Sequence, residues 1–315
     1  MNKDNSFDCI DAGTENCPCY LALTGDCLMC TRLQGKDCCD CNWKGVCIYN
    51  EFIQGNCKVN NPRRDFEAAI VDKKYYTDDL VIFVIQVDKG FALKTSKPGS
   101  YLFIRGSNQD SFYDTPISVM KADAEKGYLH LAVKSISAKT KSILDEDEKL
   151  IIRGPYRNGI QGIREVFDKK NRHNKTLVIA KGIGIAPGLL LADYFNNLCQ
   201  VDFIVDTEKI SKEFVKDYLS EGSSTVKYMN LNELTAQGNI KNILIEKKYE
   251  TVLILASDYF VETLGPLVRD ALKDAVIAVS NNFHICCGEG LCGACSCIDN
   301  EGRTIKMCKC QMKQE

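Results

Sequence analysis

Between residues 79 and 154 the chain carries short, densely apolar runs: DLVIFVIQV (79–87), SYLFI (100–104), YLHLAVKSI (128–136) and KLIIRG (149–154). Each is rich in β-branched and aromatic residues and is cut from the next by turn residues, which predicts a small antiparallel β-barrel starting near Phe66. After Asn171 the rhythm changes. TLVIA (176–180) predicts a buried strand, followed by a glycine turn and the amphipathic run PGLLLADYFNNL (187–198); VDFIV, NILIE and TVLILA continue the beat of a parallel sheet. This half predicts a doubly wound α/β module. Residues 1–62 hold few aliphatic side chains and close at Asn60-Asn61-Pro62, so that segment needs a staple in place of a large core. The predicted architecture is multidomain α+β: a cysteine-rich head (1–62), a β-barrel (63–170), an α/β domain (171–280) and a C-terminal cysteine module (281–315).

Composition narrows the partners. With 40 basic against 42 acidic residues there is no charge excess to draw the chain to nucleic acid or anionic lipid. The opening MNKDNSFDCIDAGTENC has no apolar signal region and no run approaches a membrane span, so the expectation is a cytoplasmic protein with no membrane contact. In a reducing compartment clustered cysteines read as metal ligands before disulfides. Of the 18 cysteines, ten lie between Cys9 and Cys57, seven between Cys286 and Cys310, and Cys199 stands alone.

Cys287, Cys292 and Cys295 form a C-x4-C-x2-C run, the spacing of plant-type [2Fe–2S] ferredoxins, which needs a fourth and more distant cysteine, Cys308 or Cys310. Gly288, Gly290 and Gly293 suit a loop that wraps an inorganic core closely. Zinc is the alternative, but zinc sites usually pair two short C-x2-C knuckles. Cys286, Cys297 and His284 read as non-ligands, since a Rieske centre needs two histidines. In the head, Cys27 and Cys30 with Cys39 or Cys41 and Cys47 are candidate ligands for a [4Fe–4S] cluster or a zinc ion. In "VIAKGIGIAPG", Gly182 and Gly184 follow a buried strand and Pro187 falls in the first turn of the next helix. That arrangement offers unpaired N–H groups to a dinucleotide diphosphate, although strand–glycine–helix turns also occur for packing alone.

The order of "PGSYLFI" (98–104), "TPIS" (115–118), "SAKTKSIL" (137–144), "GPYRNGI" (154–160), the glycine turn and the cysteine run resembles the ferredoxin reductase superfamily of flavoproteins. Within it, the chain most resembles the electron-transfer subunit of dihydroorotate dehydrogenase and the small subunit of electron-bifurcating transhydrogenases and sulfide dehydrogenases. The resemblance covers roughly residues 66–310 and implies FAD. Pro116, Ile117 and Ser118 would lie along the isoalloxazine, with Ser118 a candidate partner for its N5. Lys139 and Thr140 would lie near the diphosphate, and the loop from Gly154 through Pro155 to Gly159 under the ring. The resembling subunits carry Cys-Lys after a short hairpin, which favours Cys308 as the fourth ligand.

Three positions depart from the family pattern. Thr115 stands where an arginine usually pairs with the diphosphate, leaving Arg105 or Lys134 to serve. Lys181 replaces a usual glycine of the nucleotide turn, and would either add charge for a phosphate or block the site. Ser257-Asp258-Tyr259 replaces a Cys-Gly-Pro motif where nicotinamide stacks. Asp206, where the family often places a phosphate-reading arginine, leans to NAD(H) over NADP(H). The implied function is an electron-transfer subunit passing electrons between NAD(H), FAD and a [2Fe–2S] cluster and wiring a catalytic or second electron-transfer subunit, since no substrate site such as a triad or catalytic metal motif is evident. The rivals are a relay or metal-binding scaffold with a closed nucleotide site, and a self-contained NAD(P)H diaphorase.

Overall fold

The computed structural model describes residues 7–168, 175–195, 198–219, 224–236, 239–299 and 302–314. The expected boundary at 170/171 and positions 196 and 197 of the expected amphipathic run lie outside the described residues. Among the described residues the strands run from β1 to β16 in chain order. The chain divides into two compact units, one from the described parts of 1–64 and 283–313, the other from Asp65–Asn282 with Gln314.

In the first unit, β1 (Phe7–Cys9) is followed by helices Tyr20–Thr24 and Ile48–Gln54. The larger unit opens with the barrel: β2 (Asp65–Thr77), β3 (Leu80–Gln86), β4 (Tyr101–Gly106), β5 (Thr115–Asp123), β6 (Tyr128–Lys134) and β7 (Lys149–Tyr156), closed in the order β2-β3-β6-β5-β4-β7, every pairing antiparallel. The period of two sends Val81, Phe83 and Ile85, Leu102 and Ile104, Leu129, Leu131 and Val133, and Leu150 and Ile152 into one core. Each such side chain contributes ~1.5–3 kcal/mol of transfer free energy. The expected barrel is present, and two further strands, β2 and β5, complete it.

β8 (Ile160–Gln161) is an antiparallel edge to a sheet whose other strands are parallel: β9 (Thr176–Lys181), β10 (Val201–Asp206), β11 (Val226–Tyr228), β12 (Thr251–Leu255) and β13 (Val276–Ser280), in the order β11-β10-β9-β12-β13-β8. Helix Ile185–Tyr194 covers one face, where Gly188 lies against Val178 and Phe203. Helices Leu231–Ala236, Asn239–Lys247 and Asp258–Ala271 share the opposite core with Ile179, Ile204 and Ile254.

One expected strand is a helix. NILIE lies in Asn239–Lys247, where Ile240 and Leu244 are buried and Ile245 is exposed, the i, i+4 spacing of a helix face. The place it was expected to fill is taken by β11.

The first unit is completed by β14 (Ser296–Ile298) paired with β15 (Thr304–Lys306), and by β16 (Cys310–Met312), which pairs antiparallel with β1 so that Cys9 faces Cys310. The sequence treats residues 1–62 and 281–315 as separate modules; in the structure they share one unit.

Candidate functional site

The cysteine loop is built from glycines in left-handed backbone, with φ of 71° at Gly288, 80° at Gly290 and 75° at Gly293. At Gly290 a Cβ would lie 2.6 Å from Leu21 of the head helix, so close packing as well as conformation requires glycine. The loop turns N–H groups toward sulfur: Glu289 N and Cys292 N donate to Cys287 Sγ at 3.3 and 3.5 Å, and Cys308 N donates to Cys295 Sγ at 3.3 Å. The Cys308 thiol contacts both Cys287 and Cys295, and Cys287 contacts Cys292. Those contacts, chiefly the thiol of Cys308, lower Cys287 to about 4 and Cys295 to about 6, while Cys308 itself is raised.

Cys287, Cys292, Cys295 and Cys308 are thus neighbours. Cys310 lies elsewhere, buried in β16 with its thiol toward Gln311 O. Cys286 is exposed and Cys297 sits on β14.

Beside this loop is a cluster of charges that the sequence reading did not find. Lys309, fully buried, donates to Asp11 Oδ2 at 2.7 Å and to Glu289 Oε2 at 2.8 Å; Arg63 reaches Asp11 Oδ1 at 2.8 Å and Glu289 Oε2 at 3.4 Å. Two anions and two cations compensate one another, and they join the head, the segment before the barrel, the cysteine loop and the residue after Cys308. A charged residue inside "MCKC" was the one local hint.

In the larger unit, Pro116 is exposed on β5 and Ser118 half-buried, both on the face away from the barrel core, while Ile117 turns inward. Ile117 therefore offers a flavin only its backbone. Among the described residues the Ser118 hydroxyl has no hydrogen-bond partner, which leaves it available to a ligand. Gly154 and Pro155 lie near the end of β7: a Cβ at Gly154 would lie 2.6 Å from Leu102, and one at Gly159 would lie 2.8 Å from Gly99 O.

Arg105 bonds Asp65 and Asp114, each at 2.7 Å, and Lys134 bonds Asp79 at 3.0 Å and Lys209 O at 2.6 Å, so both cations expected to replace the missing arginine are engaged within the protein. Arg153 joins the same acids and lies over the Phe103 ring. Lys139 lies over the exposed Phe112, and Thr140 closes a capping box with Ser137 at the start of helix Ala138–Leu144. Lys139 is half-buried, and its ammonium also donates to Phe112 O.

The strand order reverses between β9 and β12, and their carboxyl ends frame the crevice where open α/β sheets bind ligands. Gly182 (φ 59°) begins the turn there; at Gly184 a Cβ would lie 2.2 Å from Leu255 O, so glycine allows the turn to approach β12. Pro187 is in the first turn of the helix. Lys181 ends β9 opposite Asp206 and bonds it at 2.7 Å and Glu208 at 2.6 Å. Asp258 accepts from Asn282 at 2.9 Å.

In the head, Cys30, Cys39, Cys41 and Cys47 line one cavity of about 580 Å³. Cys27 packs against the small core nearby but is not part of that lining. Among the described residues no three His, Cys, Asp or Glu side chains converge as the ligands of a single ion, and no helix is long and apolar enough to cross a membrane.

No family model matches the chain. It is similar to the electron transfer subunit of dihydroorotate dehydrogenase B (NAD(+)) from Clostridium acetobutylicum, 25% identical over 245 residues that make up 75% of this chain and 94% of that one. The subunit of the same description from Clostridium perfringens is 26% identical over 215 residues, 66% of this chain and 82% of that one. Among solved structures, an NADH-dependent reduced ferredoxin-NADP oxidoreductase superposes with a TM-score of 0.58 at 18% identity, covering 76% of this chain and 85% of the other. Phthalate dioxygenase reductase, described as a modular structure for electron transfer from pyridine nucleotides to [2Fe–2S], gives 0.53 at 15% identity, covering 79% and 95%. The barrel and α/β sheet have the ferredoxin reductase-like fold.

Proposed function

We propose that this chain is the electron-transfer subunit of a cytoplasmic oxidoreductase complex, holding FAD and a [2Fe–2S] cluster and exchanging electrons with a partner subunit. The observation that carries the reading is that Cys308, beyond the β14–β15 hairpin, returns to the glycine-rich loop of Cys287, Cys292 and Cys295, on a chain that also has the ferredoxin reductase-like barrel and sheet. Similarity to dihydroorotate dehydrogenase electron transfer subunits over 94% of one relative's length supports it. When bound, a flavin takes a hydride as two electrons and a [2Fe–2S] cluster carries one at a time, which is the chemistry of a two-to-one converter.

The chain's own residues prepare for that chemistry. Pro116 and Ser118 present a flat face and a hydroxyl to a ring, and Lys139 offers charge to a diphosphate. The loop N–H groups of Glu289, Cys292 and Cys308 stabilise charge on sulfur. At the nucleotide turn, Gly182, Gly184 and Pro187 would lie against a nicotinamide dinucleotide, and the acid Asp206 favours NAD(H) over NADP(H).

A second reading is favoured by Lys181. Its bridge to Asp206 and Glu208 occupies the acid that a ribose would use, which suits a subunit fed by its partner in place of NADH. Anaerobic purification with flavin and iron counted per chain, followed by NADH titration, tests both. Flavin bleaching by NADH with loss of the oxidised cluster spectrum supports the main reading. Bound flavin and iron that NADH leaves oxidised supports the second, and a chain with neither removes both.

A further inference from the structure

The head holds four cysteines around one cavity, and the flavin and [2Fe–2S] chemistry makes no use of them. Cys30 follows the helix Tyr20–Thr24 and is buried; Cys39 and Cys41 come from the next loop, their thiols in contact; Cys47 immediately precedes helix Ile48–Gln54. All four line the cavity of about 580 Å³ together with Trp43 and Arg32.

The loop is held in that shape by its own bonds. Thr31 Oγ1 donates to Cys38 O at 3.3 Å and accepts from Asp40 N at 2.9 Å, pinning the segment that carries Cys39. Trp43 Nε1 donates to Val46 O at 2.8 Å, closing the turn between Cys41 and Cys47. A Cβ at Gly45 would lie 2.3 Å from the Trp43 ring, so glycine is what lets the indole fold over the turn and wall the cavity. Arg32 also lines the cavity, its guanidinium 5.2 Å from the Tyr49 ring, and brings positive charge near Cys39.

We propose that Cys30, Cys39, Cys41 and Cys47 ligate a [4Fe–4S] cluster in this cavity, making the head a second iron–sulfur centre. Four thiolates satisfy such a cluster, whereas a lone zinc draws four sulfurs to within ~2.3 Å of one point and leaves no cavity between them. The assignment takes Cys39 in place of Cys27, because Cys39 lines the cavity and Cys27 does not. Two ferrous and two ferric ions, four hydrosulfide ions and the four thiols assemble the [4Fe–4S]2+ core, with release of the thiol and hydrosulfide protons.

The test is metal analysis of the full-length protein purified or reconstituted without oxygen, with iron, labile sulfide and zinc counted per chain. About six irons and as many sulfides are expected, two for the C-terminal loop and four for the head, with two distinct EPR signals on reduction. Cys41→Ser and Cys47→Ser should each remove about four irons and keep the [2Fe–2S] signal, while Cys38→Ser, at an exposed thiol outside the lining, should keep all six. Cys292→Ser should remove about two and leave four, so four irons insensitive to Cys292 would keep the head cluster and fail the C-terminal one. Wild-type protein with about two irons and one zinc, or about two irons and no other metal, would overturn the proposal whatever the variants do.

Discussion

A lysine with no water around it is stable only while its neighbours keep it charged and bonded, and Lys309 meets that condition through Asp11 and Glu289. Removing one partner strands the other charges. Asp11→Asn should therefore destabilise the first unit by ~3–5 kcal/mol, far more than a surface change. Trp43 is the sole tryptophan and sits in that unit, so its fluorescence in urea reads the loss directly. A shift of the midpoint worth under ~1 kcal/mol would mean that the four charges do not hold the unit together. The pH dependence has a definite sign. Burial alone would raise the Asp11 carboxyl, but Lys309 and Arg63 outweigh it and hold the group well below the carboxylate range. Its stabilisation is thus present above the unfolded value of ~3.9 and lost as pH falls through the folded one. For Lys309 burial lowers the ammonium, yet Asp11 and Glu289 raise it further, so its contribution is present below ~10.4 and lost as pH rises through the raised value. Through these two groups the Trp43 transition should stay level from about pH 5 to 9 and weaken only beyond.

The pairing of β9 with β10 decides what the nucleotide turn offers. Because the parallel register sets Lys181 opposite Asp206, the lysine reaches an acid that is nearly inaccessible to water and draws Glu208 in as well. Lys181→Ala releases both acids. If the crevice takes NADH, affinity should rise about tenfold or more, the scale of a hydrogen bond to a charged group, as read by a binding titration on the flavin-loaded protein. Weaker binding would show that Lys181 serves the ligand, and unchanged binding that its bridge does not compete with NADH. Elements of this kind were legible in the sequence to the extent that their signal was local. β3 and β4 stood out because they are buried at nearly every position and read as continuous apolar runs, and β6 and β7 because buried aliphatic residues recur through them. β2 did not, since among its thirteen residues only Ala68 is fully buried and charges fill the exposed face. NILIE misled because a run of three apolar residues fits a strand and a helix face equally; only the tertiary core selects between them. The glycine turn was legible, but the Lys181 bridge was not, as it depends on a neighbouring strand 25 positions away.

At the scale of the whole chain the two cysteine-rich ends were plain from spacing, while their union was not, since the pairing of β1 with β16 and the meeting of Asp11 with Lys309 span almost the full sequence. That union changes what the head is for. A detachable module would leave the C-terminal loop intact when removed. Here, removing residues 1–62 takes away the partner strand of β16, the Leu21 side chain that packs against Gly290, and the Asp11 carboxylate beneath Lys309. Lys309 and the loop's glycine backbone are then left without the surfaces that fix them, and a [2Fe–2S] loop loses its cluster when its sulfurs are no longer held in place. The barrel and sheet, in the other unit, keep their own cores. The truncated chain is therefore expected to retain flavin at near wild-type stoichiometry and to lose nearly all iron, including that bound through Cys287, Cys292, Cys295 and Cys308. Iron, sulfide and flavin counts on the truncated and full-length proteins decide the matter: retention of two irons with a normal [2Fe–2S] spectrum would show the head to be an appendage, whereas their loss with flavin retained would make it the other half of the cluster's binding site.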